Sequence, residues 1–97
     1  MAERPRIEIV YCRQCGWMLR AGWMAQELLS TFAEEIGEVA LIPSTGGAFS
    51  ISCNGELVWE RKRDGGFPDA ATLKTKIRDI IQPERDLGHS DRAAGTT

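Results

Sequence analysis

Two cysteines separated by two residues are the part of this sequence best suited to chemistry. Cys12 and Cys15 follow a short apolar run at 7–11 and precede a long helical pattern that begins near Gly16. The first turn of a helix offers unpaired N–H groups and the positive end of its dipole, and both stabilise a thiolate. The two-residue spacing lets the sulfurs close into a disulfide and reopen. The placement therefore predicts dithiol redox chemistry, with half of a zinc site or two inert cysteines as the alternatives.

Length and composition indicate one small domain. The 97 residues are 42% hydrophobic and 27% charged, which is enough for a single core. A net charge of −2 gives no case for nucleic-acid binding, and no apolar run approaches the roughly 20 residues that span a membrane. The first residues lack the apolar core of a secretory leader, so we expect a cytoplasmic protein. There, three cysteines favour one reactive pair over a disulfide framework.

The pattern of apolar residues predicts six elements. Alternating or continuous apolar runs predict four strands, and helical spacing predicts two helices. Pro43 should stop the second strand, Gly37 should cap the first helix, and Asn54-Gly55 should form a type I′ hairpin turn. The predicted strands are residues 7–11, 38–42, 49–54 and 56–61, and the predicted helices are residues 16–36 and about 70–82.

These elements fit one α/β domain at residues 1–83. The first strand–helix–strand unit should be parallel and right-handed, and the hairpin then adds two antiparallel strands. The expected fold is β-α-β-β-β-α, a four-stranded mixed sheet with both helices packed on it, which is a compact thioredoxin-like arrangement. Residues 84–97 are polar, and we expect a disordered tail there.

Four segments resemble the selenoprotein W-like, or Rdx, family of thioredoxin-like proteins. They are residues 12–17 (CRQCGW), 45–49 (TGGAF), 54–55 (NG) and 59–68 (WERKRDGGFP), within a resemblance that spans about residues 7–82. The resemblance implies a thiol–disulfide oxidoreductase of cell redox homeostasis, with glutathione as a candidate co-substrate. In the family's selenium-containing members the second motif position is selenocysteine. Cys15 occupies it here, so this is an all-cysteine version, and rates argued from selenium do not transfer.

Topology predicts which segments meet the cysteines. The two parallel strands deliver their carboxyl ends to one edge of the sheet, where the third strand begins and the fourth ends. We therefore expect a site built from residues 12–17, 43–49 and 61–67. The basic run at 61–63 could instead be simply solvated, and Trp17 could be core. The candidate substrate-contacting residues are Arg13, Trp17, Thr45, Gly46, Phe49, Arg61 and Lys62.

The third cysteine should lie away from this site. A five-residue strand is roughly 17 Å long, whereas a disulfide needs Cα atoms within about 7 Å. Cys53, near the far end of the third strand, is therefore predicted to be a small core residue. Within the reactive pair two arguments conflict: the usual exposure of the first cysteine favours attack by Cys12, and the family pattern favours Cys15. We favour Cys15.

The leading functional prediction is an oxidoreductase that acts on a protein disulfide or a glutathione mixed disulfide and binds no cofactor. The first alternative is a protein-binding module that the cysteine pair switches without turnover. The second is a zinc site completed by another chain, because Cys12 and Cys15 supply only two of four ligands. Neither nucleic acid nor membrane is an expected partner, and the sequence favours no oligomeric state.

Overall fold

One mixed sheet organises the residues that the structure describes, 4–84 of a computed structural model. The strands are β1 (Arg6–Cys12), β2 (Glu38–Ser44), β3 (Phe49–Cys53) and β4 (Glu56–Glu60), and the helices are α1 (Met18–Thr31), α2 (Arg61–Asp64) and α3 (Ala70–Ile81). Of the tail expected at 84–97, residues 85–97 lie outside the described part. None of the described helices has the length and apolar character needed to cross a membrane.

The strand order is β2-β1-β3-β4. β1 pairs with β2 in parallel, and the pairs β1–β3 and β3–β4 are antiparallel. In the register, Ile9 lies between Leu41 of β2 and Ile51 of β3. The predicted four-stranded mixed sheet and the order of its elements are confirmed, with the short helix α2 as an addition.

A single hydrophobic core lies between the sheet and its helices. Along β1 the buried residues alternate with the half-buried Glu8 and Val10, so one face of the strand meets the core. α1 contacts β1, β2 and α3, which places the two long helices side by side over that face. The fully buried side chains include Ile7, Ile9, Phe49, Ile51, Met24, Leu28, Phe32, Leu73 and Ile77.

The first helix is shorter than its apolar pattern predicted. α1 ends at Thr31, and the chain turns through residues 32–35 while still burying Phe32 and Ile36. Gly37, predicted as the helix cap, instead donates its N–H to the Pro5 carbonyl at 2.9 Å. A Cβ at Gly37 would meet the Arg4 carbonyl oxygen at 3.0 Å. The glycine is therefore needed for the close approach of two backbone segments.

A β-bulge changes which residues of β4 face the core. Ile51 lies opposite Trp59 while the next residue, Ser52, lies opposite Leu57, so Val58 is the extra residue. Val58 is buried, whereas Leu57 is 45% exposed. Strict alternation along β4 is therefore broken, because the bulge shifts the register between Leu57 and Trp59.

Candidate functional site

The cysteine pair occupies the turn between β1 and α1. Cys12 is the last residue of β1, and the following N–H, that of Arg13, donates to the Ser44 carbonyl at 3.0 Å. The Cα atoms of Cys12 and Cys15 are 5.3 Å apart, and their sulfurs are bonded to each other. Cys12 is fully buried and Cys15 is exposed. The expectation that Cys12 would be the more exposed is wrong, because β1 continues through Cys12 instead of ending at Tyr11.

The start of α1 leaves its positive end uncompensated by side chains. The helix begins at Met18, two residues later than predicted, after a turn that Gly16 makes possible at φ +77°. No side chain caps this terminus, and its first turn contains no acidic residue. The exposed Cys15 in the preceding turn therefore lies near unpaired N–H groups and the positive end of the dipole, which favour a thiolate.

Three aromatic rings pack beside the cysteine turn. Trp17 makes edge-to-face contacts with Phe67, at 5.0 Å between ring centroids, and with Phe49, at 6.4 Å. Phe49 and Phe67 are themselves 4.9 Å apart. These rings come from the three segments predicted to meet, 12–17, 43–49 and 61–67. The structure thus joins those segments at one end of the sheet through an aromatic cluster of Trp17, Phe49 and Phe67.

Two guanidinium groups lie against this aromatic cluster. The Arg61 guanidinium lies 5.2 Å from the centroid of Trp17, and Arg61 Nε donates to the Gly47 carbonyl at 3.1 Å. Arg61 therefore ties the loop before β3 to Trp17, the residue directly before α1. Arg20 lies 4.1 Å from the centroid of Phe67. Sequence reasoning missed Arg20, although its position three residues after Trp17 puts both on one side of a helix.

The other predicted contact residues take no part in the aromatic cluster. They are Arg13, Thr45, Gly46 and Lys62. Arg13 and Lys62 are exposed, and within residues 4–84 neither side chain forms a salt bridge or ring contact. Thr45 and Gly46 form an exposed loop, in which the Thr45 carbonyl accepts from the Ala48 N–H at 3.3 Å. The Ser44 carbonyl, directly before this loop, accepts from the Arg13 N–H, which places the loop next to the cysteine turn.

The basic run at 61–63 divides between two roles. Arg61 faces the aromatic cluster, whereas Arg63 pairs with Asp64 at 2.7 Å and donates to the Val58 carbonyl of the bulge at 3.2 Å. The Arg63 hydrogen bond holds the pKa of Asp64 below its usual range. Asp64 in turn accepts from the Glu60 N–H at 2.9 Å, which closes the first turn of α2. Arg63 therefore supports the fold, and only Arg61 of the run contacts the candidate site.

Cys53 lies where the topology predicted, away from the pair. It is a free, buried thiol opposite Ile7, at the other end of β1 from Cys12. Burial raises the pKa of its thiol, which suppresses the reactive thiolate. Within residues 4–84 no three His, Cys, Asp or Glu side chains gather closely enough to hold a metal ion. A zinc site would therefore need ligands from outside this part of one chain.

Comparisons with solved structures agree with this geometry. A selenoprotein W-related protein from Vibrio cholerae is 60% identical and superposes with a TM-score of 0.81, over 82% of this chain and all of that one. A protein from Bordetella parapertussis is 59% identical, with a TM-score of 0.80, over 81% of this chain and all of that one. The predicted thioredoxin-like fold class is confirmed.

More distant relatives match the same part of the chain. Migration and invasion enhancer 1 of Mus musculus is 36% identical over 74 residues, which are 74% of this chain and 61% of the mouse protein. The Bos taurus protein of the same name is 36% identical over 75 residues, 75% of this chain and 62% of its own length. The chain thus spans about three fifths of these curated relatives. Residues 6–79 match the Rdx family model, and the chain therefore belongs to the Rdx family of selenoprotein W-like proteins.

Proposed function

We propose that this protein is a thiol–disulfide oxidoreductase in which Cys15 attacks and Cys12 resolves, with glutathione as co-substrate. The asymmetry of the pair carries the proposal: the two residues are close enough to bond, yet only Cys15 is open to solvent. A substrate disulfide can approach an exposed sulfur in line, whereas the buried Cys12 can react only with a sulfur brought to it. Membership of the Rdx family supports the same chemistry.

The reaction follows from these positions. The Cys15 thiolate attacks one sulfur of the substrate disulfide, forms a mixed disulfide and displaces the other sulfur as a thiolate, which takes a proton from water. Cys12 then loses its proton and attacks the Cys15 sulfur, so that the second substrate thiol leaves. Two electrons pass from the dithiol to the substrate, and the Cys12–Cys15 disulfide forms. Two glutathione thiols would restore the dithiol and leave as oxidised glutathione.

The surrounding residues would assist by fixing the turn and by their charge. The start of α1 and the Arg20 side chain, whose guanidinium lies against Phe67, add positive potential near Cys15. Arg61 holds Trp17 and the loop before β3 together, and the backbone N–H of Trp17 donates to the Cys12 carbonyl at 3.4 Å. A fixed turn keeps Cys12 in reach of the Cys15 sulfur, as the resolving step requires.

A coupled turnover assay tests the proposal. The reduced protein is mixed with bis(2-hydroxyethyl) disulfide, glutathione, glutathione reductase and NADPH, and NADPH oxidation is followed above the uncatalysed rate. We expect many turnovers per molecule and none from Cys15→Ser. Cys53→Ala, which alters a thiol remote from the pair, serves as the matched control and should keep the wild-type rate.

The turnover assay and a metal analysis separate the alternatives. Oxidation of the pair without sustained turnover would favour the redox-switched binding module and would contradict the proposal. Metal analysis of freshly purified protein tests the other alternative: about one zinc per two chains, with Cys12 and Cys15 reacting with Ellman's reagent only after chelation, would favour the intersubunit zinc site.

A further inference from the structure

The solvent-facing side of the first two turns of α1 is apolar. Met18 is 47% exposed, Leu19 is 85% exposed and Trp23 is 45% exposed. A helix that packs on a core by one stripe normally carries polar residues on its outer side. Farther along the same side, Gln26 and Ser30 follow that rule. Leu29, near the other end of α1, is also 42% exposed, but three of the four exposed large apolar residues of the helix, including the most exposed, Leu19, lie in the two turns that adjoin the cysteine turn.

A glycine lies within this surface without a steric reason inside the described chain. Gly22 is in the interior of α1, where glycine destabilises a helix relative to alanine. A Cβ added there would meet no atom within 4 Å. Gly22 lies one turn after Met18 and next to Trp23, so its missing side chain leaves room between two exposed apolar groups.

The charge around this surface is positive. Between Glu8 and Glu27 the charged residues are Arg13 and Arg20, and both are exposed. Glu27, the next acid along α1, is paired with Lys74 of α3 at 2.8 Å. The chain as a whole has a net charge of −2, so its positive charge beside Cys15 is a local feature. Such a patch attracts acidic partners.

We propose that Met18, Leu19, Gly22 and Trp23 form a docking surface for the substrate's polypeptide, a proposal that rests on the oxidoreductase function above. The occupant is a disulfide-bearing protein segment with an apolar side chain beside its cysteine and an acidic residue close by. Its apolar side chain covers Leu19 and Trp23, and its acid lies near Arg13 or Arg20. Glutathione has carboxylates but no large apolar side chain, so it leaves this surface uncovered.

Three symmetrical peptide disulfides test the proposal. The cysteine is flanked by leucine and glutamate in the first, by serine and glutamate in the second, and by leucine and lysine in the third. Each reaction converts one protein dithiol and one peptide disulfide into one protein disulfide and two peptide thiols. We expect the first peptide to be reduced about tenfold faster than the second, which is the scale of burying one aliphatic side chain. It should also outpace the third severalfold, less so as salt is added.

Two variants of α1 test whether the preference for the leucine peptide arises at this surface. Leu19→Ser should bring the rates of the leucine and serine peptides close to each other. Gly22→Ala should also reduce the leucine preference while the melting temperature stays level or rises, which separates lost docking from damaged folding. Leu57→Ser, an exposed leucine on β4 outside the candidate site, is the matched control and should keep the wild-type ratio.

The outcomes distinguish the two proposals. Equal rates for all three peptides, or a leucine preference that survives in Leu19→Ser, would overturn the docking surface and leave the oxidoreductase function standing. A reduced protein that acts on none of the peptides and fails the turnover assay would overturn both.

Discussion

The contact between Gly47 and Arg61 gives a prediction that can be worked out from distances. Gly47 has φ +75°, and a Cβ there would meet Arg61 Nη2 at 3.2 Å. The guanidinium is the end of a flexible side chain and can move away. Moving it would break the hydrogen bond from Arg61 Nε to the Gly47 carbonyl and the contact with Trp17. Gly47→Ala should therefore be destabilising for two separate reasons: the strain of a non-glycine residue at positive φ, and the loss of the contacts that Arg61 makes.

The neighbouring glycine separates these reasons. Gly46 has φ +69°, and a Cβ there would meet nothing within 4 Å. Gly46→Ala should cost only the left-handed strain of a non-glycine residue, roughly 1–2 kcal/mol. Gly47→Ala should cost that strain plus about 1 kcal/mol for the displaced Arg61 hydrogen bond. For a domain of this size the extra term corresponds to a melting temperature lower by about 4–8 °C.

Denaturant and thermal melts of the reduced protein measure both effects, with each glycine variant made in the wild-type and in the Arg61→Ala background. In Arg61→Ala the two glycine variants should cost the same, because the contact that distinguishes them is gone. Equal costs in the wild-type background, or an extra cost of Gly47→Ala that persists without Arg61, would refute the role assigned to this arginine.

Three further predictions follow from buried or capped groups. Since burial raises the pKa of Cys53, its thiol should resist Ellman's reagent at pH 8 until denaturant is added; reaction in the native state would contradict its burial. The Thr72 N–H donates to the Asp69 carboxylate at 2.7 Å and lowers the pKa of that carboxyl. The stabilisation by this hydrogen bond is therefore fully present above the unfolded pKa of about 3.9 and is lost as the pH falls through the folded pKa. Asp69→Ala should thus cost about 1 kcal/mol at neutral pH and progressively less as the pH falls below about 3.9, and a pH-independent cost would argue against this cap. Trp59→Phe removes the Nε1 hydrogen bond to the Gly66 carbonyl at 2.8 Å and should cost about 1 kcal/mol in urea melts; an unchanged midpoint would show that the bond adds nothing.

The elements that the sequence predicted best are those with strong local signals. Alternation places Phe49, Ile51 and Cys53 on the core face of β3, as expected. The Asn54-Gly55 turn has φ of 50° and 85°, the positive values of a type I′ hairpin. The meeting of the three site segments followed from strand direction alone, because parallel and antiparallel pairing determine which strand ends coincide.

The features that the sequence did not predict depend on partners distant in the chain. Cys12 is buried because β1 continues to pair with Ser44, one residue past the proline that was expected to stop β2. The bulge at Val58 is stabilised by a hydrogen bond from Arg63, a residue of the basic run for which the sequence predicted only a place at the site or simple solvation. The position of Arg20 over Phe67 required knowing how α1 lies against the loop before α3.

The first sulfur to react is the most direct test of the central claim. Cys12→Ala and Cys15→Ala each leave one cysteine of the pair, and alanine at the buried position avoids an unpaired hydroxyl. Both variants, with melting curves to show that they fold, are mixed with oxidised glutathione, and the mixed disulfide is followed by mass spectrometry. The structure leads us to expect Cys12→Ala to form it at the initial rate of the reduced wild type and Cys15→Ala to lag far behind. Rapid formation in Cys15→Ala together with slow formation in Cys12→Ala would show that Cys12 attacks and would contradict the account.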